Sequence, residues 1–388
     1  MTADSSKLSK AYARGIEKGR QLRLSDDAGI ARRYWHDAAR CLAKMLGWPK
    51  EKLVAEVRQY HQERLDAVPD FTRYPELRGY RDLLMEEHRG MRDAGADDDA
   101  IALSRTLHFW RDTRLLQQTG RGWHAPVMPE KCRVLYVPET EDGAIHAKNV
   151  DDPLTYWKPR APYPKNAAWP WTHPLRFDGV GSGLHVDEIP LEIFPVNPHE
   201  LCLEHCTTVE AATEFMVRYN YFWSSQNLLI HDHHGNSMAF EKTRCRVATR
   251  KPNAKGINFI NGMGALDPEI CEHQRRMRAK HLEQTGQGPD SIEARYFQFC
   301  EKKWENMTRY VEQLTQDPTV EGVRSLMEQR DPGGPMCLTG KKVHPDEKVT
   351  ACTLVMDLWF MDKKKLHRRQ WRGDMPAYLD RPEIVQFN

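Results

Sequence analysis

The sequence lacks several features that would place it in a large protein class at once. No apolar stretch approaches the roughly 18 residues that a membrane-spanning helix needs, so we expect no membrane association. The N-terminal stretch MTADSSKLSKAYARG has no apolar segment of the secretory type, and the C-terminal EIVQFN has no peroxisomal or lipidation signal. These absences predict a cytoplasmic protein.

Cysteine usage argues against a disulfide framework or a zinc ribbon. The nine cysteines are odd in number and irregularly spaced, and no Cys-x-x-Cys pair occurs. We expect reduced thiols, with neither a metal nor a cofactor, and leave open that one thiol is reactive. The glycine-rich residues 179–183 are not followed by the Gly-Lys-Ser of a phosphate-binding loop, so they predict a tight turn into a buried strand.

The charge balance excludes another class of partner. Net charge is +2 over 388 residues, of which 29% are charged and 40% hydrophobic, as in an ordinary folded chain. No basic tract is interleaved with aromatic residues, so nucleic acid is not an expected partner. The length allows one large domain or two smaller ones.

The order of predicted elements favours an α+β fold. Residues 1–125 show the three-to-four apolar spacing of amphipathic helices, and β-rich sequence begins near residue 132. A second helical region follows residue 267, and strands return after residue 349. Because there is neither an internal repeat nor βαβ alternation, we expect antiparallel sheets with helices packed on them.

A long segment rich in proline and aromatic residues covers residues 153–178. Loops of this length inside a compact domain usually form a lid or a binding loop. We therefore expect Trp157, Trp169 and Trp171 to contact an apolar or aromatic part of a substrate.

Residues 132–151 predict a β-hairpin. Two β-favouring runs, at 134–137 and 144–147, flank a stretch with Pro, Asp and Gly, which is typical of a turn. Antiparallel pairing would then set Cys132 opposite residues 149–151, so that a thiol, an amide and a carboxylate meet at the open end. Taken alone, these residues favour a buried structural cysteine and a turn aspartate.

Two further clusters favour structural roles. Residues 231–234, His-Asp-His-His, fall where a hairpin should turn, and adjacent histidines rarely bind one metal ion, so a solvated turn is the favoured interpretation. Cys206, in Cys-Thr-Thr, resembles a nucleophile motif, but a capped helix is predicted over residues 207–219. No hairpin ending in Asn-x-Asp follows it.

Taken together, these segments resemble the acyl-CoA:6-aminopenicillanic acid acyltransferase-like (C45) family of N-terminal-nucleophile (Ntn) hydrolases, related to choloylglycine hydrolases. The family pattern is a Cys that opens a strand and, about seventeen residues later, an Asn-x-Asp that ends the paired strand. Here it is similar to Cys132 with Asn149-Val150-Asp151. Other segments resemble family motifs in the family's order: Gly15-x-x-x-Gly19, 75–79, 183–191, 206–211, 227–241 and 260–261.

The resemblance implies a four-layer αββα sandwich at residues 132–388, preceded by a helical pro-region at residues 1–131. It implies that the precursor cuts itself before Cys132, whose freed α-amine becomes the general base for the thiol. Attack on an amide then gives an acyl-enzyme.

The resemblance also assigns roles to other positions. Asp151 would orient the freed amine, Asn149 would position the hairpin or the nucleophile, and Asn261 would donate a hydrogen bond to the oxyanion. Partners would be a small amide or acyl substrate, with an acyl-CoA donor as one acyl source, and the two cleavage fragments would associate. Hydrolysis and acyl transfer both stay open.

Several positions depart from the family pattern. Lys131 stands where Gly is usual, Arg133 where Thr is common, and Lys148 where Arg is frequent. Asp187, expected in the substrate site, replaces an Asn, and an ionised Asp cannot donate to an oxyanion. These departures motivate an alternative: a family-like fold that is not cut and acts as a binding protein or an uncleaved thiol enzyme.

Overall fold

The computed structural model describes most of the chain. The described residues are 5–22, 30–110, 132–153, 171–181, 194–222, 226–243, 246–262, 264–284, 286, 288–331, 336–338, 351–372 and 375–387. No helix within these ranges combines the length and the apolar content that crossing a membrane requires. Contacts divide the described chain into two compact units: the first holds residues 5–110 and 194–196, and the second holds the rest.

The first unit is helical, as the apolar spacing predicts. Its helices are α1 (Ser5–Leu22), α2 (Ile30–Leu46), α3 (Lys50–Asp66), α4 (Tyr80–Asp93) and α5 (Asp98–Trp110). The buried face of helix α4 includes Glu87, His88 and Gly90, so its apolar stripe is not continuous. Gly79, at φ 76°, precedes its first turn, where a left-handed conformation suits glycine.

Helices α1 and α4 approach each other so closely that glycine is required at their crossing. A Cβ atom on Gly15 would overlap the carbonyl oxygen of Glu87, and one on Gly90 would overlap that of Tyr12. Because the overlap is with backbone, the helices would have to separate. We expect Gly90→Ala to destabilise the protein by about 1–3 kcal/mol, measured by chemical denaturation followed by circular dichroism. Gly288→Ala, which meets no described atom within 4 Å, is the control, and equal midpoints would contradict the prediction.

The second unit contains two antiparallel sheets. Its described strands are β1 (Arg133–Val137), β2 (Ile145–Pro153), β3 (Leu175–Gly181), β4 (Gln226–Asp232), β5 (Ser237–Lys242), β6 (Val247–Arg250), β7 (Asn258–Asn261), β8 (Ala351–Phe360), β9 (Lys365–Gln370) and β10 (Glu383–Gln386). The six-stranded sheet has the order β10-β9-β8-β2-β1-β7, and the four-stranded sheet has the order β3-β4-β5-β6. The α+β class with antiparallel sheets is therefore confirmed.

Helices of the second unit begin at side-chain caps. They are α6 (Pro198–His205), α7 (Val209–Arg218), α8 (Pro268–Gln284), α9 (Ile292–Gln316) and α10 (Val320–Met327). The hydroxyls of Thr208, Ser291 and Thr319 accept backbone N–H groups at the starts of α7, α9 and α10, at 3.2, 3.2 and 3.0 Å. These caps satisfy amides that a helix start leaves unpaired.

The two faces of the six-stranded sheet pack against different layers. Alternation along β1 sends Val134 and Tyr136 to one face, which packs against Leu229 and Ala239 of the four-stranded sheet. We call this the inter-sheet face. The opposite face, here the helix face, carries Leu135 and Val137 with side chains of α9 and α10. Helix α7 contacts β4 and β5 of the other sheet.

Strand β3 differs from the sequence-based expectation. We expected an irregular segment up to residue 178 and a tight turn at the glycines after it, whereas Leu175–Gly181 is one strand. It pairs along its length with β4, with Gly179 opposite Leu228. Pairing with a neighbouring strand overrides the weak β-propensity of glycine, which a local pattern cannot show.

Candidate active site

The β1–β2 hairpin has the predicted register. Val137 pairs with Ile145 next to the turn, and Arg133 pairs with Asn149 at the open end. Gly143, at φ 87°, lies in the turn and needs the left-handed conformation. Cys132 therefore lies at the open end beside residues 149–151, and this part of the prediction is confirmed.

Pleating nevertheless sends the predicted site residues to opposite faces of the sheet. Cys132 is partly buried and packs against the inter-sheet cluster and against the cluster that contains Val150. Asn149 and Asp151 share the helix face with Arg133, because side chains alternate along a strand. The hairpin thus gathers the thiol, the amide and the carboxylate at one end but separates their side chains.

Asp151 lies in a buried ion pair. Its Oδ2 accepts a hydrogen bond from the Arg133 guanidinium, and its Oδ1 accepts one from the Thr353 hydroxyl at 2.7 Å. The Lys303 ammonium lies 3.9 Å from Oδ2. Both Arg133 and Asp151 are buried, so this carboxylate is already surrounded by cationic and hydroxyl donors.

Asn149 anchors the open end of the hairpin. Its Nδ2 donates to the carbonyl oxygens of Met327 and Met336, both at 2.9 Å. Arg133 donates to the same Met336 carbonyl. These contacts tie β2 and β1 to the segment that follows helix α10.

Asn261 ends β7, the strand on the other side of β1, and pairs with Arg133. Its Oδ1 accepts from the Gly262 amide at 2.8 Å, and its backbone carbonyl accepts from Asn227 at 2.7 Å. Its Nδ2 is buried, and no described residue accepts a hydrogen bond from it. Because Asn261 pairs with Arg133, its side chain lies on the helix face, so this amide donor and the Cys132 thiol are on opposite faces of the sheet.

A group of polar side chains on the inter-sheet face was not predicted. We call it the Asp178 cluster: Lys148 and His146 from β2, Arg176 and Asp178 from β3, and His231 from β4. Lys148 donates to Asp178 Oδ1, while His146 Nε2 and Arg176 Nη2 lie 2.9 and 3.2 Å from Oδ2. His146 Nδ1 and His231 Nε2 are 2.9 Å apart.

Burial and charge fix the protonation states of this cluster. Burial opposes the charge on Asp178, but the Lys148 cation and the His146 hydrogen bond hold its pKa well below the usual range. Burial lowers the pKa of His146 to about 4, and burial with His146 nearby holds the pKa of His231 well below its usual value. Both histidines are therefore neutral at pH 7. We assign the His146 proton to Nε2, which faces the carboxylate, so His231 Nε2–H donates to His146 Nδ1.

Lys148 connects the cluster to Cys132. Burial favours loss of the lysine proton. The Asp178 carboxylate and, to a smaller extent, Cys132 oppose this effect, and together they raise the pKa of Lys148. The ammonium is therefore retained at neutral pH next to the thiol. A neighbouring cation stabilises a thiolate, which is the reactive form of cysteine.

Trp171 is the one tryptophan of the predicted binding loop that lies within the described residues. It is buried in the inter-sheet core, with its ring 4.8 Å from that of Trp359 and the Arg176 guanidinium 4.0 Å above it. Trp157, Trp169 and Asp187 lie outside the described residues. Their predicted contacts with substrate stay predictions, as does that of Trp171.

Cys206 and the turn after Asp232 lie as expected, whereas His231 is buried in the Asp178 cluster and is not part of a solvated turn. Cys206 is buried and precedes helix α7. Asp232 accepts from the backbone amides of His234 and Asn236 at 2.8 and 3.0 Å, which makes the predicted hairpin turn, and His233 is exposed. Among the described residues, no group of three or more potential ligands could hold a metal ion.

Comparisons with known proteins give weak similarities. No family model matches the sequence, and no curated protein matches it. Among solved structures, the chain is similar to a mutant conjugated bile acid hydrolase from Clostridium perfringens, with 8% identity and a TM-score of 0.30, over 66% of this chain and 97% of that one. It is similar to penicillin V acylase from Agrobacterium tumefaciens, with 14% identity and a TM-score of 0.33, over 65% and 84%. Similarity at this level carries no argument, so function is argued from the residues.

Proposed function

We propose that this protein is an amide hydrolase or acyltransferase that works through the Cys132 thiol. The observation that carries the proposal is the Lys148 ammonium beside Cys132 on the inter-sheet face. In the Asp178 cluster, Lys148 and Arg176 face one carboxylate, and the histidines are neutral. The cluster therefore retains one positive charge, which a Cys132 thiolate would neutralise.

The proposed reaction has two stages. The thiolate sulfur forms a bond to the amide carbonyl carbon, the carbon–nitrogen bond breaks, and the nitrogen takes a proton and leaves as an amine. Water, or another amine or thiol, then attacks the thioester and restores the thiol. Asn261 is proposed as the donor to the oxyanion, a contact that typically contributes a factor of about 10²–10³ in rate.

The finer family features are part of this proposal. We propose a four-layer αββα sandwich within residues 132–388, and packing of helices on the outer side of each sheet supports it. Residues 1–131 would be the pro-region, which becomes a separate fragment when the Cys132 thiol attacks the preceding carbonyl and water hydrolyses the resulting thioester. Asp151 would then orient the new α-amine, and the aromatic loop with Asp187 would line the substrate site.

A second candidate function is an uncleaved thiol enzyme. The observation that favours it is the ion pair between the Arg133 guanidinium and the Asp151 carboxylate. This cation already pairs with the carboxylate that a freed α-amine would need. Lys148 would then assist Cys132 without any cut.

Intact mass of the purified protein distinguishes the two candidates. Self-processing predicts fragments of 131 and 257 residues for the wild type and one full-length species for Cys132→Ala. A full-length wild type that hydrolyses amides and labels at Cys132 contradicts self-processing and supports the uncleaved enzyme. A full-length chain that does neither contradicts both and leaves a binding protein.

A further inference from the structure

The hydrogen bonds of the Asp178 cluster form a continuous path to Lys148, which shares a face of the hairpin with Cys132 and interacts with it electrostatically. His231 donates to His146, His146 donates to Asp178, and Lys148 donates to the other oxygen of the same carboxylate. Each hydrogen bond fixes the orientation of the next group. The path crosses from the four-stranded to the six-stranded sheet, so their packing sets the position of the Lys148 side chain.

Lysine needs such support at this position. Its side chain has four rotatable carbon bonds and an ammonium that readily loses its proton when buried. Lys148 is only 22% exposed, and Asp178 is the largest influence that opposes the effect of burial on it. Arg176 and His146 in turn hold Asp178 in place, because both hydrogen-bond to its Oδ2.

The other charged neighbours do not replace Asp178. Asp357 is opposite Lys148 in the pairing of β2 with β8, but both its oxygens accept from Arg368, at 2.8 and 2.6 Å. Arg176 repels the ammonium, and His231 is neutral. Asp178 is therefore the carboxylate that sets the charge and direction of Lys148.

We propose that Asp178, held by His146 and Arg176, is a positioning residue that keeps the Lys148 ammonium charged and directed at Cys132. This rests on the proposed function in one respect, that Cys132 is the reacting thiol. It adds a role for side chains of the opposite sheet that the hairpin motif does not contain. The cluster controls the reactivity of the thiol without touching the substrate.

The charge beside Cys132 can be measured by alkylation of the full chain. Iodoacetate is anionic and iodoacetamide is neutral, so the ratio of their rates at Cys132, followed by peptide mass spectrometry, reports the local charge. A unit charge about 4 Å away changes this ratio by about fivefold even at the dielectric constant of water. We expect Lys148→Met to lose that factor at neutral pH and Lys148→Arg to keep it.

Asp178→Asn gives the decisive pH profile. Asp178 raises the pKa of Lys148, so without it burial dominates and the ammonium loses its proton at lower pH. We expect the preference for iodoacetate to disappear at a pH at least about one unit lower than in the wild type. Lys363→Met removes a lysine that pairs with Asp142 at 2.6 Å, both in turns between strands, and should leave the profile unchanged.

The outcomes separate the two proposals. A folded Asp178→Asn variant with the wild-type profile overturns the role of Asp178. If that variant does not fold, Asp178→Glu keeps the charge but displaces it by one methylene group, and an unchanged preference at neutral pH overturns the role equally. If Cys132 in the folded wild type reacts with neither reagent, the proposed function itself fails.

Discussion

Replacement of Cys132 by Ala is expected to lower amide hydrolysis by at least about 10³-fold, because the acyl-enzyme can no longer form. The measurement is the rate of amine release from a panel of small amides. Labelling of the wild type by iodoacetamide should fall on Cys132 first.

Cys271 provides a matched control. It has intermediate exposure like Cys132, but burial and the Glu241 carboxylate raise the pKa of its thiol, which donates to the Ala265 carbonyl at 2.9 Å. We expect Cys271→Ala to retain activity within about twofold, as for a residue outside the reaction. Loss of hydrolysis in this variant, with activity retained in Cys132→Ala, would refute the assignment of the nucleophile.

Three other described cysteines explain why the Cys132 thiol should be the more reactive one. Burial raises the pKa of Cys202 strongly, and burial with Asp151 nearby raises those of Cys337 and Cys352 to about 12. These thiols stay neutral and enclosed at pH 7, which makes them poor nucleophiles. Cys132 instead combines partial exposure with a neighbouring cation.

The hairpin shows how far the sequence alone can predict this site. The spacing of the two β-favouring runs and the turn residues between them were sufficient to predict the hairpin in which Arg133 pairs with Asn149, because both signals are local. The same alternation of side chains implies that Lys148 and Val150 share a face with Cys132, whereas Asn149 and Asp151 do not. That consequence was available from the register but was missed.

Other features could not be read from local patterns. Asp178 lies on a strand of the other sheet, and only tertiary packing brings it to Lys148. Strand β10 contains four residues, too few for a period to emerge. Sequence patterns predict elements well where the apolar period is long, and they do not contain contacts between sheets.

The Arg133–Asp151 pair leads to the second large prediction. Arg133→Met should destabilise the second unit by about 3–5 kcal/mol, because it leaves a buried carboxylate without its main partner. Thermal and chemical denaturation measure this loss. Arg275→Met, which breaks an exposed pair with Glu272 at 3.1 Å, is the control and should change the midpoint little.

Removal of both charges tests the cause. In Arg133→Met with Asp151→Leu, no buried charge remains from the pair, so much of the lost stability should return. A double variant as unstable as the sum of the single ones would show that packing, rather than an unpaired charge, causes the loss. Lys303, whose ammonium lies 3.9 Å from Asp151, remains in both variants and partly compensates the carboxylate in the single variant.

The same substitution reports on processing. In a chain cut before Cys132, the new α-ammonium would be a second cation for Asp151, so Arg133→Met should cost less there than in an uncut Cys132→Ala background. Equal costs in the two backgrounds would mean that no amine reaches Asp151. The buried pair would then belong to an uncut enzyme, in which the Asp178 cluster alone provides the positive charge that the thiolate needs.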